Sequence, residues 1–224
     1  NSNLYKKILM NTIYVLPKDL NDAFKNLENS IISSLKLSSF RFTVEFNFEG
    51  LKFNKIGITI YKILANYYNN KKIKKNVFIT YSDPGAVALA QRDYPDIKEN
   101  IFTFKGFNES IYVDQDESIL ISILPQPYDF DTFEPMCENF KGLHYSLNPK
   151  FEDANIGIGS VIRERRKNFV KTWYNVYFLQ PIDNGALMHS YPNNWLLFKE
   201  INKRYLFKKE FDERPDNETI FVNL

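Results

Sequence analysis

The chain has 224 residues, 44% hydrophobic and 25% charged, with a net charge of +2 at pH 7. That composition supports a substantial core and excludes bulk disorder, and the near-neutral balance argues against a surface built to coat nucleic acid. One cysteine, Cys137, excludes an intramolecular disulfide, and with only His144 and His189 beside it no metal site of the Cys/His type is expected.

Residues 1–15 read as a lead-in, and any targeting peptide lies outside the 224 residues. Pro17 suits the first turn of a helix, where its missing N–H has no partner anyway. Leu20, Phe24, Leu27, Ile31 and Leu35 then recur at helical spacing and predict an amphipathic helix lying on a core. Residues 40–46 alternate apolar and polar as a strand does, 55–68 predict a second helix, and 76–81 a second strand. Asp83 and Pro84 form a helix-start signal, followed by the helix-favouring run 86–90. Short strands are predicted at 100–104 and 118–124, a loop at 126–131, a helix at 133–140 with Pro135 in its opening turn, and a strand at 143–147. The apolar stretch 118–124 has the length of a buried strand, well short of the about 20 residues that span a bilayer.

Strands alternating with helices imply βαβ units and a largely parallel sheet covered on both faces. After about Arg163 the rhythm changes. Residues 170–180, 186–191, 195–199 and 205–209 read as consecutive strands, with turn signals at 183–185 and 192–194 and a short helix after Pro215. The expected fold is therefore α/β: a three-layer, largely parallel Rossmann-like sheet (about 16–150) with an antiparallel C-terminal extension (about 163–210), in a single domain over 16–224.

Two anion sites can be drawn from the residues. The 82–92 turn and helix would present free N–H groups at a strand's C-terminal end, with Asp83, Gly85 and Arg92 as its residues. Asp83 reads first as a plain helix cap. The 155–166 stretch combines Gly157 and Gly159 with Arg163, Arg165 and Arg166, which could hold a phosphate or carboxylate, or dock a partner. No phosphate-loop or dinucleotide fingerprint accompanies them, so no cofactor is expected. Cys137 reads as a buried thiol inside a helix, and His144 and His189 as packed strand residues, so no catalytic residue is assigned. Trp173, Tyr177, Tyr191 and Trp195 are candidates for an aromatic docking face, or else core.

Several short runs in a fixed order carry a resemblance. They are VEF (44–46), EGLKFN (49–54), SDPGAVALAQRDY (82–94), EPMCE (134–138), LNPK (147–150), GIGS (157–160), RERR (163–166), Trp173, YPNNW (191–195) and RP (214–215). In this order the chain resembles the plastid and cyanobacterial domain of unknown function 1995. The resemblance implies a plastid protein of the stroma or thylakoid surface, without catalytic residues. It would dock on a thylakoid membrane-protein complex, photosystem core or antenna, as an assembly factor or peripheral subunit. The alternative left open by the residues is a stromal module or enzyme for a phosphorylated ligand, using the 82–92 and 155–166 segments.

Overall fold

The computed structural model describes residues 14–110, 117–151 and 159–224. Asp19 caps the first helix by accepting from the Asp22 N–H at 2.9 Å, so α1 (Leu20–Ser34) begins three residues beyond Pro17. It is followed by β1 (Arg41–Phe46), α2 (Phe53–Asn70), β2 (Asn76–Tyr81) and α3 (Pro84–Asp93). Then come β3 (Ile101–Thr103), α4 (Phe104–Asn108), β4 (Ser118–Ile123), α5 (Phe130–Asn139) and β5 (Leu143–Leu147). The last part holds α6 (Ser160–Val170), β6 (Tyr174–Ile182), β7 (Gly185–Ser190), β8 (Trp195–Ile201), β9 (Arg204–Phe211) and α7 (Asn217–Asn223).

All nine strands join one sheet in the order β3-β2-β4-β5-β1-β6-β7-β8-β9. From β3 to β6 every pairing is parallel; β6 to β9 form an antiparallel meander. The first strand therefore lies in the middle, and the expected antiparallel half is a continuation of the same sheet. Tight turns fold the meander: Asn184 (φ 60°) links β6 to β7, and Asn202 (φ 50°) with Lys203 (φ 61°) links β8 to β9. Positive φ at such positions matches the right-handed twist of the flanking strands.

Period-two alternation sends Phe42, Val44, Ile79, Ile121, Tyr145 and Tyr177 to one face, where α1, α2 and α3 supply Leu27, Ile31, Ile60, Leu64 and Ala90. The opposite face is covered by α4, α5 and α6 through Phe104, Phe107, Phe130, Phe133, Met136 and Phe169. Farther along that face, α7 lays Ile220 against Phe178, Leu187 and Trp195.

Three local expectations change. The predicted 155–166 loop gives way to α6 from Ser160, with 155–158 outside the described residues, and the strand predicted from 170 begins at Tyr174. The Arg163–Lys167 run of α6 has high helix propensity, but only Phe169 of the helix is buried. A helix polar on nearly every side carries no apolar stripe for periodicity to detect. The predicted strand 100–104 stops at Thr103, because the Thr103 hydroxyl accepts from the Gly106 N–H at 2.9 Å and starts α4. Helix α5 starts at Phe130 and holds Pro135 in its interior, not its opening turn. The reason is the turn before it, where the Gln126 N–H donates to the Asp129 carboxylate at 2.7 Å and launches the helix early.

The two sheet edges differ. β3 has three residues, and the Gln91 side chain donates to the Ile101 carbonyl at 3.1 Å beside it. β9 has eight residues, exposed from Arg204 to Glu210. It carries Tyr205, Leu206 and Phe207 among Arg204, Lys208 and Lys209. Among the described residues no strand pairs with its outer side.

Candidate functional site

On the face covered by α4, α5 and α6, the strands carry polar residues at their centres. In register across the sheet lie Thr80, Ser122, Ser146, Thr43 and Asn175, one from each of β2, β4, β5, β1 and β6. Thr80 and Ser122 hydroxyls are 2.9 Å apart, and Ser122 meets the His144 Nε2 at 2.7 Å. His144 Nδ1 lies 3.7 Å from the Cys137 thiol. Burial holds the His144 imidazole well below its ordinary value, with the Arg41 charge adding to the effect, and burial pushes the Cys137 thiol up. Both are sealed under aromatic rings, so this neutral pair packs and hydrogen-bonds without access to a substrate.

Toward β6 the helical cover ends and a cleft of about 340 Å³ opens between α6 and the chain following β9. Its floor is Thr43, Glu45, Asn175 and His189; its walls include Phe151, Trp173, Trp195 and Arg214. Asn175 Nδ2 lies 3.0 Å from the Thr43 hydroxyl and 3.0 Å from the Glu45 carboxylate. A carboxylate only accepts, so the amide oxygen must face His189 Nδ1, 2.8 Å away, and that nitrogen carries the proton. The imidazole stacks on Trp195 with centroids 4.8 Å apart and planes 10° apart. Glu45, Asn175 and His189 thus form an oriented relay in which the ring is a neutral donor toward the protein.

Burial lowers the His189 imidazole to about 4, partly offset by a hydrogen bond with the Asn193 main chain. The unfolded chain takes up a proton near the ordinary value of 6.5, whereas folded His189 resists until about 4. This group's contribution is therefore full above pH 6.5 and is lost as pH falls toward 4. Between pH 7 and pH 5 the loss is about 2 kcal/mol for His189. Urea unfolding at both pH values checks it: His189→Asn is expected to lessen the difference by that amount, and an unchanged difference refutes the assignment.

The anion residues read from the sequence do not converge. Asp83 caps α3 by accepting from the Ala86 N–H at 2.9 Å, with Gly85 in the same first turn. Arg92 lies at the other end of that helix, about 14 Å along its axis, paired at 2.8 Å with Asp93. Arg165 is held by Glu134 and Asp131 of α5; Arg166 donates to the Pro127 carbonyl at 2.9 Å and sits over the Phe130 ring at 5.1 Å. Arg163 is exposed in the first turn of α6, Gly159 precedes that helix, and Gly157 lies outside the described residues. Arg165 and Arg166 fasten α6 to α5, both lying over the Phe130 ring.

The aromatic face also divides. Tyr177 is buried on the α1/α2 side of the sheet, whereas Trp195 is buried on the other side, so the two share no surface. Tyr191 is half-buried, edge-on to Tyr174 at 5.7 Å. Trp173 is half-buried, and its indole N–H is enclosed with no hydrogen-bond partner among the described residues. Of the four, Trp173 and Trp195 meet at the cleft. Sequence reasoning passed over Glu45, Asn175, Asp212, Glu213 and Arg214. Polar residues on the inward side of strands, as in TVE (43–45), were the available signal.

The cleft also gathers the short runs scattered along the chain. Glu45 comes from VEF, Pro149 from LNPK, residues 192–195 from YPNNW and Arg214 from RP. In LNPK, Asn148 (φ 48°) clamps β1 to β5: its amide exchanges 2.9 Å hydrogen bonds with the Phe46 N–H and carbonyl. Among the described residues, no three His, Cys, Asp or Glu side chains converge as metal ligands, and no helix is long and apolar enough to cross a membrane. No curated protein and no solved structure matches the chain. The family model of a domain of unknown function, DUF1995, matches residues 17–221, from just before α1 into α7, and the chain belongs to that family.

Proposed function

We propose that this is a non-catalytic plastid protein that docks on a thylakoid membrane-protein complex, as a photosystem assembly factor or peripheral subunit. The observation that carries the reading is the outer edge of β9. An eight-residue edge strand offers unpaired main-chain groups to an incoming strand, and exposed Leu206 and Ile201 offer apolar contact beside them. The lysines and arginine along the same strand suit an anionic headgroup border around a membrane complex. The resemblance of the sequence to plastid proteins supplies the compartment and the partner class. A phosphorylated ligand has less support, since Asp83, Arg92 and Arg165 are engaged within the fold.

The test is co-migration with solubilised thylakoid complexes on native gels, comparing the wild type with an Ile201→Arg, Leu206→Arg double variant. Both positions are exposed, so folding stability is expected to change by less than about 1 kcal/mol. The wild type is expected to co-migrate with a photosystem complex and the variant to run free. A wild type that runs free, or a variant that still co-migrates, overturns the reading.

A further inference from the structure

We infer that the cleft over Glu45, Asn175 and His189 is a binding site for an organic cation, an ammonium-bearing molecule with an aromatic or aliphatic body. Three carboxylates (Glu45, Asp212 and Glu213) line the cleft against one guanidinium, Arg214. An anion entering it would meet net like charge in a space partly withdrawn from water, where repulsion is least screened. A cation meets the reverse. Glu45 is fixed in place by its hydrogen bond from Asn175, which holds its negative charge inside the cleft. His189, bonded through Nδ1 to Asn175 and held neutral by burial, adds no positive charge to the floor.

The walls supply the second half of the recognition. Phe151, Trp173, Tyr174 and Trp195 surround the acidic floor, the combination that holds ammonium groups by ring quadrupoles. The cleft already displays this chemistry: the Arg214 guanidinium lies 4.6 Å from the Phe178 ring centroid and 5.8 Å from that of Trp195. The carboxylates do not converge as metal ligands, so the cation is organic and not a bare ion. A volume of about 340 Å³ suits a small molecule with one ring or a short chain. Residues from separate runs of the sequence meet around this space, with Phe151 and Trp173 shared between its wall and the second core.

Calorimetric titration with three probes of one shape separates charge from fit: phenethylammonium, 2-phenylethanol and phenylacetate, each to millimolar concentration. Phenethylammonium is expected to bind at least about tenfold more tightly than the alcohol, and phenylacetate not at all. Glu45→Gln is expected to weaken the ammonium about tenfold and leave the alcohol unchanged. Should Glu45→Gln fail to fold, Glu213→Gln on the exposed rim carries the same expectation. Phenylacetate binding as tightly as the ammonium, no binding by any probe, or unchanged ammonium affinity in the folded variants each overturns the assignment.

Discussion

Phe133→Ala is expected to lower the unfolding free energy by about 3–5 kcal/mol, the cost of deleting a fully enclosed ring and leaving its cavity. Phe133 has no exposed surface, and α5 drives it into the centre of the second core. Its ring centroid lies 5.1 Å from Phe104, 5.2 Å from Phe151, 5.8 Å from His144 and 6.0 Å from Trp173. Rings on four sides belong to different elements, so no single side chain can move in to fill the space. Because Trp173 stacks on it at 20°, the loss also loosens one wall of the cleft. Urea unfolding gives the comparison, with Phe221→Ala as control: Phe221 is 83% exposed and its truncation is expected to cost less than about 0.5 kcal/mol. Equal costs at the two positions would refute the packing account.

Arg41→Met is expected to cost about 3 kcal/mol, through hydrogen bonds more than through charge. Arg41 is 5% exposed at the start of β1. Its Nη2 donates to the Cys137 carbonyl at 2.7 Å and to Glu138 at 2.9 Å, and its Nη1 to the Thr172 hydroxyl at 3.0 Å. Cys137 is among the last four residues of α5, whose carbonyls have no intrahelical partner, so the guanidinium satisfies a helix end buried against the sheet. Methionine fills the volume but leaves that carbonyl without a donor. Glu138 is more than half exposed, so Glu138→Gln is expected to cost under about 1 kcal/mol. If the glutamine variant loses as much as the methionine variant, the ion pair and not the buried carbonyl governs the site.

The strands of the parallel half were legible because buried strands are short apolar runs bounded by turn residues, and 76–81 and 143–147 match the observed bounds. The antiparallel half was legible for another reason: turn signals at 183–185 and 192–194 separate its strands. Asn184 does take the positive φ such a turn needs, whereas sequence reasoning passed over the turn at Asn202. Helix α6 was not, since an arginine-rich segment with one buried phenylalanine gives no periodic signal. For the same reason Arg163, Arg165 and Arg166 looked like one cluster in the linear chain. A helix turns successive residues by about 100°; Arg165 pairs with Glu134 and Arg166 donates to the Pro127 carbonyl, and both guanidiniums lie over the Phe130 ring.

Composition, periodicity and turn chemistry alone determined an α/β chain with a parallel part followed by a meander, a buried thiol and packed histidines. Those are local properties, each written in a few adjacent residues. Only the tertiary structure decided that β1 lies at the centre and that Thr43, Glu45, Asn175 and His189 share a floor. It also decided that Tyr177 and Trp195 face opposite sides. Strand order and register set which distant side chains meet, and a β6 register shift beside β1 is not encoded in any window of sequence short enough to read.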